Sequence, residues 1–184
     1  MIFFLNLKIL LQMSTFENLV MDVIKKYVQL YPNDNAYVIG GGAASLWINE
    51  KLGIVIPPTD YDIHVETKET NENIISKWMK LLGDTYSVVK LSSISTLTSN
   101  NKKFPNVDIF INENAPGYKP TIVNGIPTLS YLNTLKNHEC LNESYLKDIE
   151  YVKKNYPNVE KEIEYLTEKY KRVNHRILLL RRIL

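Results

Sequence analysis

Apolar residues recur at helical spacing from Ser14 to about Leu30, at Phe16, Leu19, Val20, Val23, Ile24 and Tyr27. That period places them on one stripe of a helix. Ser14 or Thr15 can cap it, Glu17 lies three residues after Ser14, and Pro32 with Asn33 ends it. The period then changes. Ala36 to Ile39 is a short apolar run that reads as a first strand. Ala43 to Leu52 reads as a short helix with Gly53 as its C-terminal stop. Pro57 and Pro58 stiffen the approach to a second strand, Thr59 to Val65.

Further on, Ile74, Ile75, Trp78, Met79 and Leu82 mark the inner face of a helix over Glu72 to Leu82, which Gly83 ends. Tyr86 to Leu97 is β-prone, with a loop at Ser99 to Lys103, and Val107 to Ile111 is a third β-prone run after the breaker Pro105. Pro116 to Pro127 reads as a loop or a short hairpin around Asn124-Gly125. A helix begins over Ser130 to Lys136, with Leu129, Leu132 and Leu135 inward, and another covers Glu143 to Lys154. Asn158 to Leu184 reads as a long amphipathic helix with Tyr165, Leu166, Tyr170, Val173, Ile177 and Leu180 toward the core. Lys169, Lys171, Arg172, Arg176, Arg181 and Arg182 make its end basic, a candidate contact for a polyanion.

Two features within this pattern carry chemistry. Gly40, Gly41 and Gly42 lie between the first strand and the helix after it, where a phosphate chain could approach the backbone. Asp60 and Asp62 are two residues apart on a strand and so point to the same side, while Tyr61 points to the other. Two carboxylates so placed repel each other unless a cation lies between them. Together they point to a site for a metal-bound nucleotide. His64 shares the aspartates' side, but imidazole suits oxygen-seeking magnesium poorly, so a supporting role is expected.

The run Ile39-Gly40-Gly41-Gly42-Ala43-Ala44-Ser45-Leu46, followed by Thr59-Asp60-Tyr61-Asp62-Ile63, resembles the signature of the DNA polymerase beta nucleotidyltransferase superfamily. It is similar to the small members whose glycine turn runs Gly-Gly-x-Ala-x-Leu. These include abortive-infection, toxin and drug-modifying enzymes; viral poly(A) polymerases show a similar aspartate strand. Either frame of the three glycines fits the pattern. The resemblance spans roughly residues 36 to 155. It implies an α+β fold, a small mixed sheet flanked by helices with a C-terminal helical extension. It implies a third carboxylate, matched by Asp108 in Val107-Asp108-Ile109-Phe110-Ile111. Asp60, Asp62 and Asp108 would then be the catalytic metal ligands, binding magnesium or manganese. Gly40, Gly41, Gly42 and Ser45 would contact the nucleotide. A second resemblance runs through Leu129-Ser130 to Lys136 and Lys147-Asp148-Ile149-Glu150, where Glu150 and Tyr151 depart from the usual trailing aspartate. It implies triphosphate contacts from Lys136 and Lys147.

The implied reaction moves a nucleoside monophosphate from a nucleoside triphosphate to a hydroxyl on a protein, an RNA end or a small molecule. Two readings stand beside it: a catalytically silent nucleotide- or nucleic-acid-binding module, and a partner subunit of a polymerase such as a viral poly(A) polymerase. The expected organisation is a core over 14–127, a helical segment over 128–184 packed on it, and an apolar extension over 1–13. That extension is too short to span a membrane and is interrupted by Asn6 and Lys8, so no membrane contact is expected. Met13 is an alternative start. With 184 residues the chain can bury a substantial core, and its net charge of +2 neither requires nor excludes nucleic acid. The single cysteine, Cys140, allows no internal disulfide and no zinc knuckle, so a reducing, cytoplasmic setting is expected.

Overall fold

The computed structural model describes residues 19–92, 94–100, 104–112, 118–156 and 159–184. The expected extension over 1–13 and the cap at Ser14 lie outside the described residues. Helix α1 is described over 19–30. In chain order there follow β1 (Ala36–Ile39), α2 (Gly40–Leu52), β2 (Asp60–Glu66), α3 (Asn71–Leu82), β3 (Tyr86–Lys90), β4 (Ile94–Ser99) and β5 (Asn106–Asn112). Then come β6 (Thr121–Val123), β7 (Ile126–Thr128), α4 (Tyr131–Asn155) and α5 (Glu160–Arg181).

The strands form one mixed sheet in the order β3-β4-β5-β2-β1-β7-β6, within the expected α+β class. β2 runs antiparallel to β1 and parallel to β5, in a register that sets Asp62 opposite Asp108. One face of the central strands is predominantly apolar. Val38, Tyr61, Ile63, Val65, Leu97, Val107 and Ile109 are all buried there. The alternate residues of β2, namely Asp60, Asp62, His64 and Glu66, are only half-buried on the other side. This period-two split is what lets one strand hold the core and carry charge.

Local chemistry explains most boundaries. The Thr70 hydroxyl accepts the Asn73 N–H at the start of α3. Gly53 closes α2 in the left-handed conformation, donating its N–H to the Asn49 carbonyl. Asn124 and Gly125 both take positive φ, 50° and 76°, and turn β6 into β7 as a two-residue hairpin.

Four expectations are corrected. Helix α2 starts at Gly40 rather than Ala43, so only Gly40, with its positive φ, turns the chain out of β1 and Gly41 and Gly42 belong to the helix. The run expected as one β-prone segment over Tyr86 to Leu97 is a hairpin of β3 and β4. Hydroxyls of Ser92 and Ser95 bond to backbone carbonyls between them, at Ile94 and Ser92 respectively, and stabilise the reversal. The two helices expected over 130–154 are the single helix α4, because residues 137–142 contain neither glycine nor proline to stop it. Finally, Leu132 and Tyr165 are exposed rather than inward. Tyr165 instead offers its ring to Lys169, whose Nζ lies 4.6 Å from the centroid.

α4 and α5 lie against each other and against α2. The Trp47 indole N–H on α2 donates to the Leu129 carbonyl at 2.9 Å, and its ring meets Tyr131 edge-on. The Tyr131 hydroxyl donates to the Leu180 carbonyl at 2.7 Å. Val173, Ile177 and Leu180 of α5 join the same apolar core as the sheet. Among the described residues no helix is long and apolar enough to cross a membrane.

Candidate active site

The site forms where β1 passes into α2. Gly40 has φ of +57°, a conformation that costs a residue with a Cβ. A Cβ there would collide with the Asp62 carboxylate, and one on Gly41 would lie 2.8 Å from Arg176 Nη1. Gly42 faces elsewhere: its Cβ would meet Val38 and Tyr61 at 2.9 and 3.3 Å, in the core. Gly40 and Gly41 therefore border the site, and Gly42 serves close packing of α2 on the sheet.

The Gly41 N–H, at the positive end of α2, favours the charged form of Asp62. Burial nonetheless pushes its carboxyl up to about 7, reinforced by the charges of Asp60 and Asp108 and opposed by Arg176 and the Gly41 N–H. Asp60 accepts from the Thr59 hydroxyl at 3.0 Å. Asp108 accepts from the Thr96 hydroxyl on β4 at 2.6 Å, Thr96 being its cross-strand neighbour. The three acids so lie on one side of the sheet and act on each other electrostatically. Sequence spacing alone could not place Thr96 beside Asp108.

A cavity of about 230 Å³ opens on Asp60 and Asp62. Gly40, Gly41 and Thr59 share their wall; Lys169, Arg172 and Arg176 of α5 form another; Asn137, His138, Leu141 and Tyr145 of α4 lie between. Asp108 is one strand away and does not line the cavity. Burial lowers the His138 pKa, and the charge of Arg176 lowers it further, while Nδ1 is within 2.9 Å of the Thr134 carbonyl. His64 is likewise lowered by burial and pairs through Nδ1 with the Tyr37 hydroxyl at 3.0 Å, in keeping with a supporting role.

The expected basic helix end divides. Lys169, Arg172 and Arg176 face the carboxylates, at the i, i+3, i+7 spacing that marks one helix face. Lys171 pairs with Glu168, and Arg181 with Glu139. Lys136 and Lys147 are exposed on α4 and do not line the cavity. The Ser45 hydroxyl donates back to the Gly41 carbonyl at 2.9 Å, and Ser45 borders a separate cavity with Lys25 and Asn49. Cys140 is exposed and unpaired.

No family model matches the chain, and no curated protein matches it. Among solved structures it is similar to JHP933 from Helicobacter pylori, with a TM-score of 0.50 and 10% identity over 94% of this chain and 91% of that one. It is also similar to the Megavirus polyadenylate synthase, with a TM-score of 0.52 and 17% identity over 91% of this chain. The chain spans 30% of that synthase. The chain thus has a nucleotidyltransferase-like fold.

Proposed function

We propose that this protein is a metal-dependent nucleotidyltransferase, moving a nucleoside monophosphate from a nucleoside triphosphate to an acceptor hydroxyl. One observation carries the reading. A single cavity at the start of α2 sets carboxylates against a wall of three cations. Cations alone would serve any anion, and carboxylates alone would repel a triphosphate. Facing each other, they suit a metal-bound triphosphate.

Asp60, Asp62 and Asp108 would hold magnesium or manganese, whose oxygen preference they match. The high carboxyl pKa of Asp62 comes mainly from burial, with a further push from the charges of Asp60 and Asp108 that a cation would relieve. Among the described residues no three ligating groups close around one point. Phosphate oxygens and water would have to complete the ion's shell. The ion would supply charge stabilisation at the α-phosphate and at the departing pyrophosphate. Lys169, Arg172 and Arg176 would receive the triphosphate, the role first expected of Lys136 and Lys147, while Gly40 and Gly41 admit it to the helix N-terminus. Asp108, oriented by Thr96, would accept the proton of the attacking hydroxyl. The new bond joins that oxygen to the α-phosphorus as the bond to the β-phosphate oxygen breaks.

The likeness to a polyadenylate synthase makes an RNA 3′ end the first acceptor to try; protein hydroxyls and small molecules follow. The test is to incubate the protein with labelled nucleoside triphosphates, magnesium or manganese, and pooled RNA or cell extract. Label transfer is expected, and Asp60→Ala/Asp62→Ala should abolish it. Metal-dependent nucleotide binding without transfer to any pool would favour the silent-module reading. Neither binding nor transfer would favour the polymerase-partner reading.

A further inference from the structure

We propose that the cavity between α1, α2 and the β6–β7 hairpin is a second ligand site, taking a small molecule with one carboxylate on a compact apolar body. It stands apart from the aspartates, since its lining and theirs have no residue in common. The site does not depend on which reaction the aspartates serve. Its volume is about 280 Å³, at the small end for ligand cavities. The walls are mostly apolar: Met21 from α1, Leu46 from α2, Val55 and Ile56 from the loop after α2, and Ile126 from β7. That loop is more apolar than the core requires. Ile54 and Ile56 pack against the core, whereas Val55 between them is 59% exposed and lines the cavity. Pro57 and Pro58 fix φ just after it, so this wall is stiff before a ligand arrives, which lowers the entropic cost of binding.

The polar groups are few and differ from those around the aspartates. Among the described residues Lys25 is the one charged group in the lining, and no carboxylate joins it there. It is half-buried, and a Cβ on Gly125 would lie 3.6 Å from its Cε. The five ion pairs among the described residues leave it out. A cation drawn partly out of water without a counter-charge favours an anion beside it. Asn124, at the hairpin turn, donates through Nδ2 to Asn49 Oδ1 on α2 at 3.4 Å, which leaves Asn49 Nδ2 as a second donor. One ammonium and one amide suit a single carboxylate. A phosphate dianion asks for more cations, such as Lys169, Arg172 and Arg176 supply in the other cavity.

Amide chemical-shift mapping on the full chain tests this with isovalerate, phenylacetate and indole-3-acetate, with the alcohol matching each acid, and with inorganic phosphate. At least one acid should move the amides of Asn49, Asn124 and Gly125 saturably and leave Gly40 and Gly41 in place. Its alcohol should bind about tenfold more weakly, and phosphate should not move the Asn124 and Gly125 amides. Lys25→Met keeps the apolar stem and removes the charge. It should weaken the acid by about tenfold and leave the alcohol unchanged. If Lys25→Met does not fold, Lys25→Gln carries the same expectation. Shifts confined to Gly40 and Gly41 would put the acid among the cations of α5 and overturn the proposal. So would the absence of saturable shifts with all three acids, equal binding of acid and alcohol, phosphate binding at Asn124 and Gly125 as tight as the acid's, or unaltered acid binding by the folded Lys25 variant. None of these outcomes requires turnover, so loss of the nucleotidyltransferase reading would leave them standing.

Discussion

Thr96 shows how much one hydroxyl can decide at the scale of a residue. It occupies one oxygen of Asp108 at 2.6 Å, and the proposed reaction would use the other. Thr96→Val retains the branched shape and removes the donor. Asp108 is then free to rotate, so turnover should fall by about tenfold, the low end of what a positioned acid or base contributes. The KM for nucleotide should change little, since the proposed triphosphate contacts lie on the α5 side. Thr96→Ser should restore the rate. Steady-state kinetics separates the two constants, and an unaltered turnover in the valine variant would show that Asp108 needs no such support.

The pairing of α4 with α5 matters most among the elements, because α5 carries all three cations of the cavity. Its depth and rotation are set by its apolar face and its last turn. Val173 and Ile177 seat it in the core, and the Tyr131 hydroxyl ties its last turn through the Leu180 carbonyl at 2.7 Å. Tyr131→Phe deletes that bond without changing the ring. It should lower stability by about 1 kcal/mol, readable as a lower urea midpoint at unchanged slope. It should also raise the KM for nucleotide, because Arg176 lies on the same rigid helix. A lower midpoint with no change in KM would separate the anchoring of α5 from its role at the site.

For the whole molecule, Asp62 couples the site to folding. Its carboxyl is pushed up to about 7, mainly by burial, whereas in the unfolded chain it titrates near an ordinary aspartate, about 4. The folded protein therefore binds the proton more tightly. Stability from this group is fully present below about pH 4 and is lost as pH rises through about 7. Without metal, Asp62→Asn should be more stable than the wild type at pH 7.5, by roughly 2–4 kcal/mol. The gap should close at pH 4. Magnesium with a triphosphate analogue should raise the thermal midpoint of the wild type at pH 7.5 and leave the variant less affected. Thermal unfolding across pH checks the sign; a wild type as stable as the variant at pH 7.5 would mean that the Asp62 charge is already neutralised.

What was legible in the chain by itself was local. Ala36 to Ile39 as a strand, the helix ending at Gly53, the shared side of Asp60 and Asp62 and the inward Tyr61 all follow from backbone periods of 2.0 and 3.6 and from the φ freedom of glycine. Those depend on residues a few positions apart. The resemblance carried by the glycines and aspartates added Asp108. Tertiary structure decided the rest. It chose Gly40 and Gly41 over Gly42 as the pair at the site, because only the docking of α2 on the sheet determines which hydrogen faces Asp62 and Arg176 and which faces Val38 and Tyr61. It set Thr96 beside Asp108 through the β4–β5 register. It also brought Lys169, Arg172 and Arg176, rather than Lys136 and Lys147, over the carboxylates. More than a hundred residues separate those cations from Asp60, and no local period reports across such a distance; only burial of the apolar face of α5 brings the two ends of the site together.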